Sequence, residues 1–259
     1  MTGEGTCEPA GIRGVIFDFY GTLVRMIPPW PPSHGAIFAR RGLAEQGERW
    51  GDQWSVGPRD GEEHTEHSVS EAAYTAWERG RLRRRAHACG VPEDQLDGLV
   101  AELDRAMKAI HLALFDDVPE ALAALRDRGL RVAVCSNWFW DLDRAVERVG
   151  LGGLVEVTVS SARAGARKPH PLPYRTVLDH CGLRPDEVLF VGDVWAPDVV
   201  GPLAAGMRAV HLWRPDRAVT GIAPPPPPGA ARIAGLRELM GLLGCRALAG
   251  GDQQGKSGS

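Results

Sequence analysis

Gly14-Val15-Ile16-Phe17-Asp18-Phe19-Tyr20-Gly21-Thr22-Leu23 is the stretch whose reading decides the fold. A short apolar run climbs to an aspartate and stops at a Gly-Thr turn, the signature of a buried strand with a carboxylate at its end. The pattern recurs downstream. Arg131-Val132-Ala133-Val134-Cys135 ends at Ser136-Asn137, and Glu187-Val188-Leu189-Phe190-Val191 ends at Gly192-Asp193. Leu154 to Val159 is a weaker case, and Ala209-Val210-His211-Leu212 makes a fifth. Helix-like segments lie between them, at Pro119 to Arg128, Asp141 to Val149, Leu172 to Cys181 and Pro197 to Ala205. Gly129, Gly150, Gly182 and Gly206 supply their stops. Strands alternating with helices of this length predict an α/β fold with a doubly wound parallel sheet. In such sheets the working crevice lies beyond the carboxyl ends of the strands, where Asp18, Ser136 and Asp193 converge.

The alternation breaks from Met26 to His111. Here helix-like segments (Ser70 to Arg85, Pro92 to Leu112) replace strand-like ones, and Trp30, Trp50, Trp54 and Trp77 fall among them. The expected organisation is a core of residues 11–25 and 112–245 and an inserted helical cap of residues 26–111. Residues 246–259 form a disordered tail. Within the cap, Trp50 to His67 is polar and Gly-containing and is expected to be mobile. Past Gly221, Pro224 to Pro228 reads as a stiff connector and Gly235 to Leu243 as a last helix.

Composition narrows the function classes. A net charge of −3 gives no electrostatic reason to expect nucleic acid or an anionic membrane as partner. No apolar run reaches the ~18 residues that span a bilayer. Met1 to Ala10 is acidic and unlike a signal peptide. Cys7, Cys89, Cys135, Cys181 and Cys245 have no metal-like or redox-like spacing, so they read as reduced thiols, with Cys135 in the core. The expectation is a cytoplasmic protein, monomer or homodimer, acting on a small molecule.

Four elements carry chemistry. Asp18 at a strand end, with a Gly turn freeing amides around it, can attack an electrophile covalently. Ser136-Asn137 offers a hydroxyl and an amide to substrate oxygens. Lysine occurs only at positions 108, 168 and 256, which makes Lys168, in Lys168-Pro169-His170-Pro171, conspicuous. It can neutralise the attacking carboxylate and a bound anion. Gly192-Asp193, with Asp198 five residues on, adds carboxylates that repel Asp18 unless a cation sits among them, and oxygen ligands of this kind suit Mg²⁺. Alone, each element has a bland reading: a loop cap, a turn, a solvated lysine, a helix cap. Order, spacing and strand-end context together are far more specific.

Together they resemble the four motifs of the haloacid dehalogenase-like superfamily, subfamily I with a helical cap, from residue 13 to about 243. The resemblance implies a covalent intermediate on Asp18, substrate binding by Thr22, Ser136 and Asn137, charge stabilisation by Lys168, and Mg²⁺ held by Asp18, Asp193, Asp198 and the Tyr20 carbonyl. Phosphatases of the superfamily carry a second Asp two residues after the nucleophile, as acid and base; here that residue is Tyr20. A phenol, ionising near ~10, is poorly matched to acid catalysis at neutral pH. Tyr20 and Tyr174 instead resemble the L-2-haloacid dehalogenases, whose halide leaves without a proton and which use no metal, and the resemblance implies that Tyr174 contacts the substrate. A cap arginine gripping the substrate would then be Arg40, Arg41 or Arg49. The fourth motif points the other way, because those dehalogenases resemble Ser where this chain has Asp193 and Asn where it has Trp195.

The metal-type motif outweighs the leaving-group argument. A Mg²⁺-dependent phosphatase of a small phosphorylated metabolite ranks first and a metal-free dehalogenase second. A catalytically weak binding or regulatory protein ranks third, because binding does not require a nucleophile. His64 and His67, with Glu63 and Glu66, lack a third metal ligand and read as a solvated loop. Trp138, Phe139, Trp140 and Trp195 either wall the crevice for an apolar substrate or pack core against cap.

Overall fold

The computed structural model describes residues 11–51, 57–215 and 224–244. Its strands are β1 (Gly14–Phe17), β2 (Val24–Ile27), β3 (His111–Leu114), β4 (Arg131–Ser136), β5 (Val157–Ser160), β6 (Val188–Gly192), β7 (Arg208–Leu212) and β8 (Ala230–Ile233). Its helices are α1 (His34–Arg40), α2 (Ala44–Trp50), α3 (Glu71–Ala88), α4 (Glu93–Lys108) and α5 (Val118–Asp127). They continue with α6 (Leu142–Arg148), α7 (Ser161–Ala164), α8 (Pro171–Cys181), α9 (Gly201–Ala204) and α10 (Leu239–Gly244).

Six strands pair in parallel in the order β5-β4-β1-β6-β7-β8. Because side chains alternate along a strand, β1 sends Val15 and Phe17 to one face and Ile16 to the other. The first face packs on α5, α6 and α10 through Leu122, Val146 and Leu239; the second packs on α8 through Tyr174 and Val177. Burial on both faces explains the unbroken apolar runs of β1, β4 and β6. β1 lies between β4 and β6, so Asp18, Ser136 and Asp193 all emerge at one end of the sheet, where the strand order switches direction.

Two features escaped the sequence reading. β2 and β3 form an antiparallel ribbon in which Ile27 faces His111, so the chain leaves the sheet and returns at one place. The helix expected over Pro92 to Leu112 accordingly stops at Lys108, and residues 111–114 extend. A sixth sheet strand, β8, lies between the Pro-rich connector and the last helix. Between the ribbon strands, α1 to α4 bury a cluster of their own around Trp50, Phe38, Leu96 and Leu99.

Residues 57–67 are not loose. His64 N–H donates to the Gly165 carbonyl (2.7 Å), Arg167 N–H to the Glu62 carbonyl (3.0 Å) and Gly61 N–H to the Lys168 carbonyl (3.4 Å). These bonds tie the segment to the loop that carries Lys168, which corrects the expectation of mobility for its described part. Trp54, Cys7, Cys245, Met1 to Ala10 and the expected tail lie outside the described residues. Cys89, Cys135 and Cys181 are free and buried, and burial pushes the Cys135 thiol up to about 12. Among the described residues no helix is long and apolar enough to cross a membrane.

Candidate active site

At the head of the sheet the charged side chains meet in a nearly closed pocket. Asp18 is 7% exposed, Asp193 6%, Asp198 1% and Lys168 1%. Lys168 Nζ donates to Asp18 Oδ1 (2.8 Å) and to Asp198 Oδ1 (2.7 Å), and Ser136 Oγ donates to the same Asp18 oxygen (2.9 Å). Two donors thus hold Asp18 Oδ1, and no hydrogen bond from the described residues engages Oδ2. Burial alone would lower the Lys168 pKa, but Asp18 and Asp198 raise it well above the usual lysine range, so the ammonium stays charged. Burial also pushes the Asp198 carboxyl upward, against the pull of Lys168.

Each carboxylate is set by its local backbone. Gly21 turns the chain after β1 with φ +88°, and a Cβ there would lie 2.7 Å from Asp193 Oδ2, so only glycine fits. Asp198 rides on a π-helical turn, Ala196–Val200, rather than the regular helix expected there, and accepts from Val194 N–H (2.9 Å). Oxygens of Asp18, Asp193 and Asp198 all lie within 4.8 Å of one another. Three buried carboxylates share one lysine, which itself touches two of them. Hard oxygen donors carrying this excess negative charge fit a divalent cation such as Mg²⁺.

Several expected substrate ligands serve instead as supports. Thr22 is fully buried and its hydroxyl donates to Asp193 Oδ1 (2.8 Å), so it orients that carboxylate. Asn137 clamps the backbone of Lys168, accepting its N–H (2.7 Å) and donating to its carbonyl (3.0 Å). Tyr174, expected to touch substrate, is fully buried and donates to the Pro197 carbonyl (2.6 Å). It satisfies a carbonyl of the π-helical turn and so positions Asp198 from behind. Ser136 meets Asp18, as its strand-end place implied.

Tyr20 is 42% exposed and opens onto a cavity of about 520 Å³ between the sheet and the inserted helices. Met26, Tyr74, Met107, Ile110, Trp138 and Phe139 supply its apolar walls; Glu78, Asn137 and Arg167 add polar groups. Three lining residues lie close in the chain to the charged pocket: Tyr20 two after Asp18, Asn137 next to Ser136, and Arg167 next to Lys168. Arg40 and Arg41 instead pair with Glu102, and Arg49 with Glu45; none of the three lines this cavity. Sequence reasoning passed over Arg167, although it stands beside the conspicuous lysine. His64 is buried, its ring 4.9 Å from Trp77 and its Nδ1 3.0 Å from Ser68 Oγ, so it packs behind the cavity rather than being solvated.

A second support was invisible in the sequence. Arg214 donates to both oxygens of Asp117 (3.0 and 2.9 Å) and to the Thr22 carbonyl (3.0 Å), fixing the turn after Asp18. Its partners are far apart in the chain and match no local pattern.

A family model described as haloacid dehalogenase-like hydrolase matches residues 12–206. A phosphoglycolate phosphatase of Rhodospirillum rubrum is 32% identical over 211 residues, covering 77% of this chain and 79% of that protein. The chain spans about half the length of some other curated relatives it matches. Among solved structures, a HAD phosphatase from Thermococcus onnurineus aligns with a TM-score of 0.60 at 20% identity, over 90% of this chain and 98% of that one. A 2-haloacid dehalogenase from Pseudomonas syringae pv. Tomato aligns at 0.58 with 22% identity, over the same shares. Likeness at that identity establishes the fold and does not separate the two chemistries.

Proposed function

This chain belongs to the haloacid dehalogenase-like hydrolase family, and from that membership we propose that it is a Mg²⁺-dependent phosphatase of a small phosphorylated metabolite. The observation that carries the reading is the buried set Asp18, Asp193 and Asp198, with Lys168 as the only lysine that contacts it among the described residues. Asp193, beside Asp18, is hard to explain in a metal-free site. Asp18, Asp193 and Asp198 would hold the ion, with the Tyr20 carbonyl as a further oxygen; when bound, Mg²⁺ offsets the negative charge of the transferring phosphoryl group. Asp18 Oδ2 attacks phosphorus while Lys168 and Ser136 hold Oδ1 in line and Lys168 neutralises the oxygens that gather charge. Water then hydrolyses the aspartyl phosphate. In this reading residues 26–111 act as a cap over a core of residues 11–25 and 112–245, and the enzyme works in the cytoplasm.

A second reading, haloacid dehalogenation, is favoured by Tyr20 standing where an acid would assist an alcohol leaving group. Against it, no arginine of residues 26–111 lines the cavity among the described residues. The test is turnover of p-nitrophenyl phosphate with and without Mg²⁺, beside chloride release from 2-chloropropionate. Mg²⁺-dependent phosphate release that Asp18→Asn abolishes is expected; metal-independent chloride release with no phosphate release would reverse the assignment.

A further inference from the structure

The cavity and the missing acid point to the same class of leaving group. Its walls are aromatic and aliphatic, formed by Tyr20, Tyr74, Trp138 and Phe139 with Met26, Met107 and Ile110. A volume of about 520 Å³ is far more than a two-carbon phosphoester occupies. The polar wall groups are largely committed. Glu78 pairs with Lys108 (3.3 Å), and the Asn137 amide is spent on Lys168 and Asp60. Arg167 Nη2 holds Asp60 (3.3 Å), and its Nε is buried away from solvent. Independently, the residue two places after Asp18 is Tyr20 rather than a second carboxylic acid, which favours a leaving oxygen that departs without a proton. Phenols ionise near ~10 and simple alcohols near ~16, so a phenolic oxygen is the better leaving group by about six powers of ten in acidity.

We propose that the substrates are aryl phosphate monoesters, whose ring occupies this cavity while the phosphate reaches Asp18. The proposal rests on the phosphatase reading above. The Asp18 Oδ2–P bond forms as the P–O(aryl) bond breaks, and the electron pair stays on the aryl oxygen. The phenolate departs and takes its proton from solvent. Water then adds to phosphorus, releasing inorganic phosphate and restoring the Asp18 carboxylate.

The experiment compares 1-naphthyl, phenyl and benzyl phosphate with 2-phosphoglycolate, using full-length protein and Mg²⁺, together with a series of ring-substituted phenyl phosphates. Expected is a kcat/KM for 1-naphthyl phosphate about 30-fold or more above that for 2-phosphoglycolate, from ring burial. Phenyl phosphate should outrun benzyl phosphate, whose ring fits but whose alcohol leaves poorly. Rates in the substituted series should fall steeply, on the order of fivefold or more per unit of phenol pKa. Ile110→Asn should raise the KM for 1-naphthyl phosphate more than for phenyl phosphate. Should Ile110→Asn fail to fold, Met26→Gln tests the opposite wall.

Equal or better turnover of 2-phosphoglycolate would overturn the proposal while leaving the phosphatase reading intact. So would a flat dependence on phenol pKa, which would mark a proton donor in the cavity, Glu78 foremost. Absence of Mg²⁺-dependent turnover of every ester, p-nitrophenyl phosphate included, would overturn the phosphatase reading and this proposal with it.

Discussion

The two sides of the candidate active-site cleft are built on opposite principles. The sheet side presents Asp18, Lys168, Asp193 and Asp198, each buried and held by a named partner, so each has essentially one place to be. The facing side presents Met26, Tyr74, Met107 and Ile110, which meet the cavity through shape and apolar area. Charges removed from water tolerate no missing partner, whereas an apolar wall can lose a methyl group and still exclude water. Substitutions in the charged floor should therefore affect every substrate alike, and substitutions in the wall should re-rank substrates.

Asp18→Asn is the sharpest way to break the comparison. On the proposed mechanism Asp18 is the nucleophile, and its removal should lower kcat by about 10³-fold or more for every ester, whatever its leaving group. Residual turnover that still depends on leaving-group size would mean that the wall, rather than the floor, governs the chemistry. Lys168→Met should follow, losing about 10²-fold or more in kcat. It should also destabilise the fold by about 3–5 kcal/mol in urea titration, because Asp18 and Asp198 are left buried without their cation.

Two buried histidines outside the floor, His34 and His64, add a pH signature of their own. Burial lowers the pKa of His64, behind the cavity, and of His34, beside Trp50, to about 4. In the unfolded chain both ionise near ~6.5, so between pH 6.5 and 4 the unfolded state binds more protons. Stability is thus full above about 6.5 and is lost as pH falls toward 4. The loss should be on the order of 1–2 kcal/mol per histidine once solvent screening is discounted. Urea midpoints at pH 7, 5.5 and 4.5 check this, and His64→Gln should flatten the slope. The smallest effect is expected from Tyr174→Phe, which removes one hydrogen bond beneath Asp198: about 1 kcal/mol in urea and a modest fall in kcat, with substrate preference unchanged. A change of preference would return Tyr174 to the list of substrate contacts.

The same contrast explains what the sequence disclosed. Asp18, Ser136 and Asp193 stand at the ends of unbroken apolar strands, so each run locates its residue and the fold gathers them; Lys168 and Asp198, in a loop and a π-helical turn, were legible only through their spacing from those motifs. Their partners were less so. Thr22 and Tyr174 were recognisable as polar residues near motifs, but only coordinates reveal that their hydroxyls point at Asp193 and Pro197 rather than at solvent. The wall was nearly silent, because Met26 lies in β2, a strand too short to signal, and Ile110 just before β3, its equally short partner. Arg214 and Asp117 were hidden by their separation along the chain.

The most direct test of Asp18 as phosphoryl acceptor is to quench the enzyme in acid during turnover of an aryl phosphate with Mg²⁺. Borohydride then reduces any acyl phosphate to the alcohol, and the peptide spanning residue 18 is sequenced by mass spectrometry. Homoserine at position 18, absent without substrate and absent when Mg²⁺ is chelated, is the expected result. Steady phosphate release with an unmodified Asp18, or the modification at another carboxylate, would contradict it.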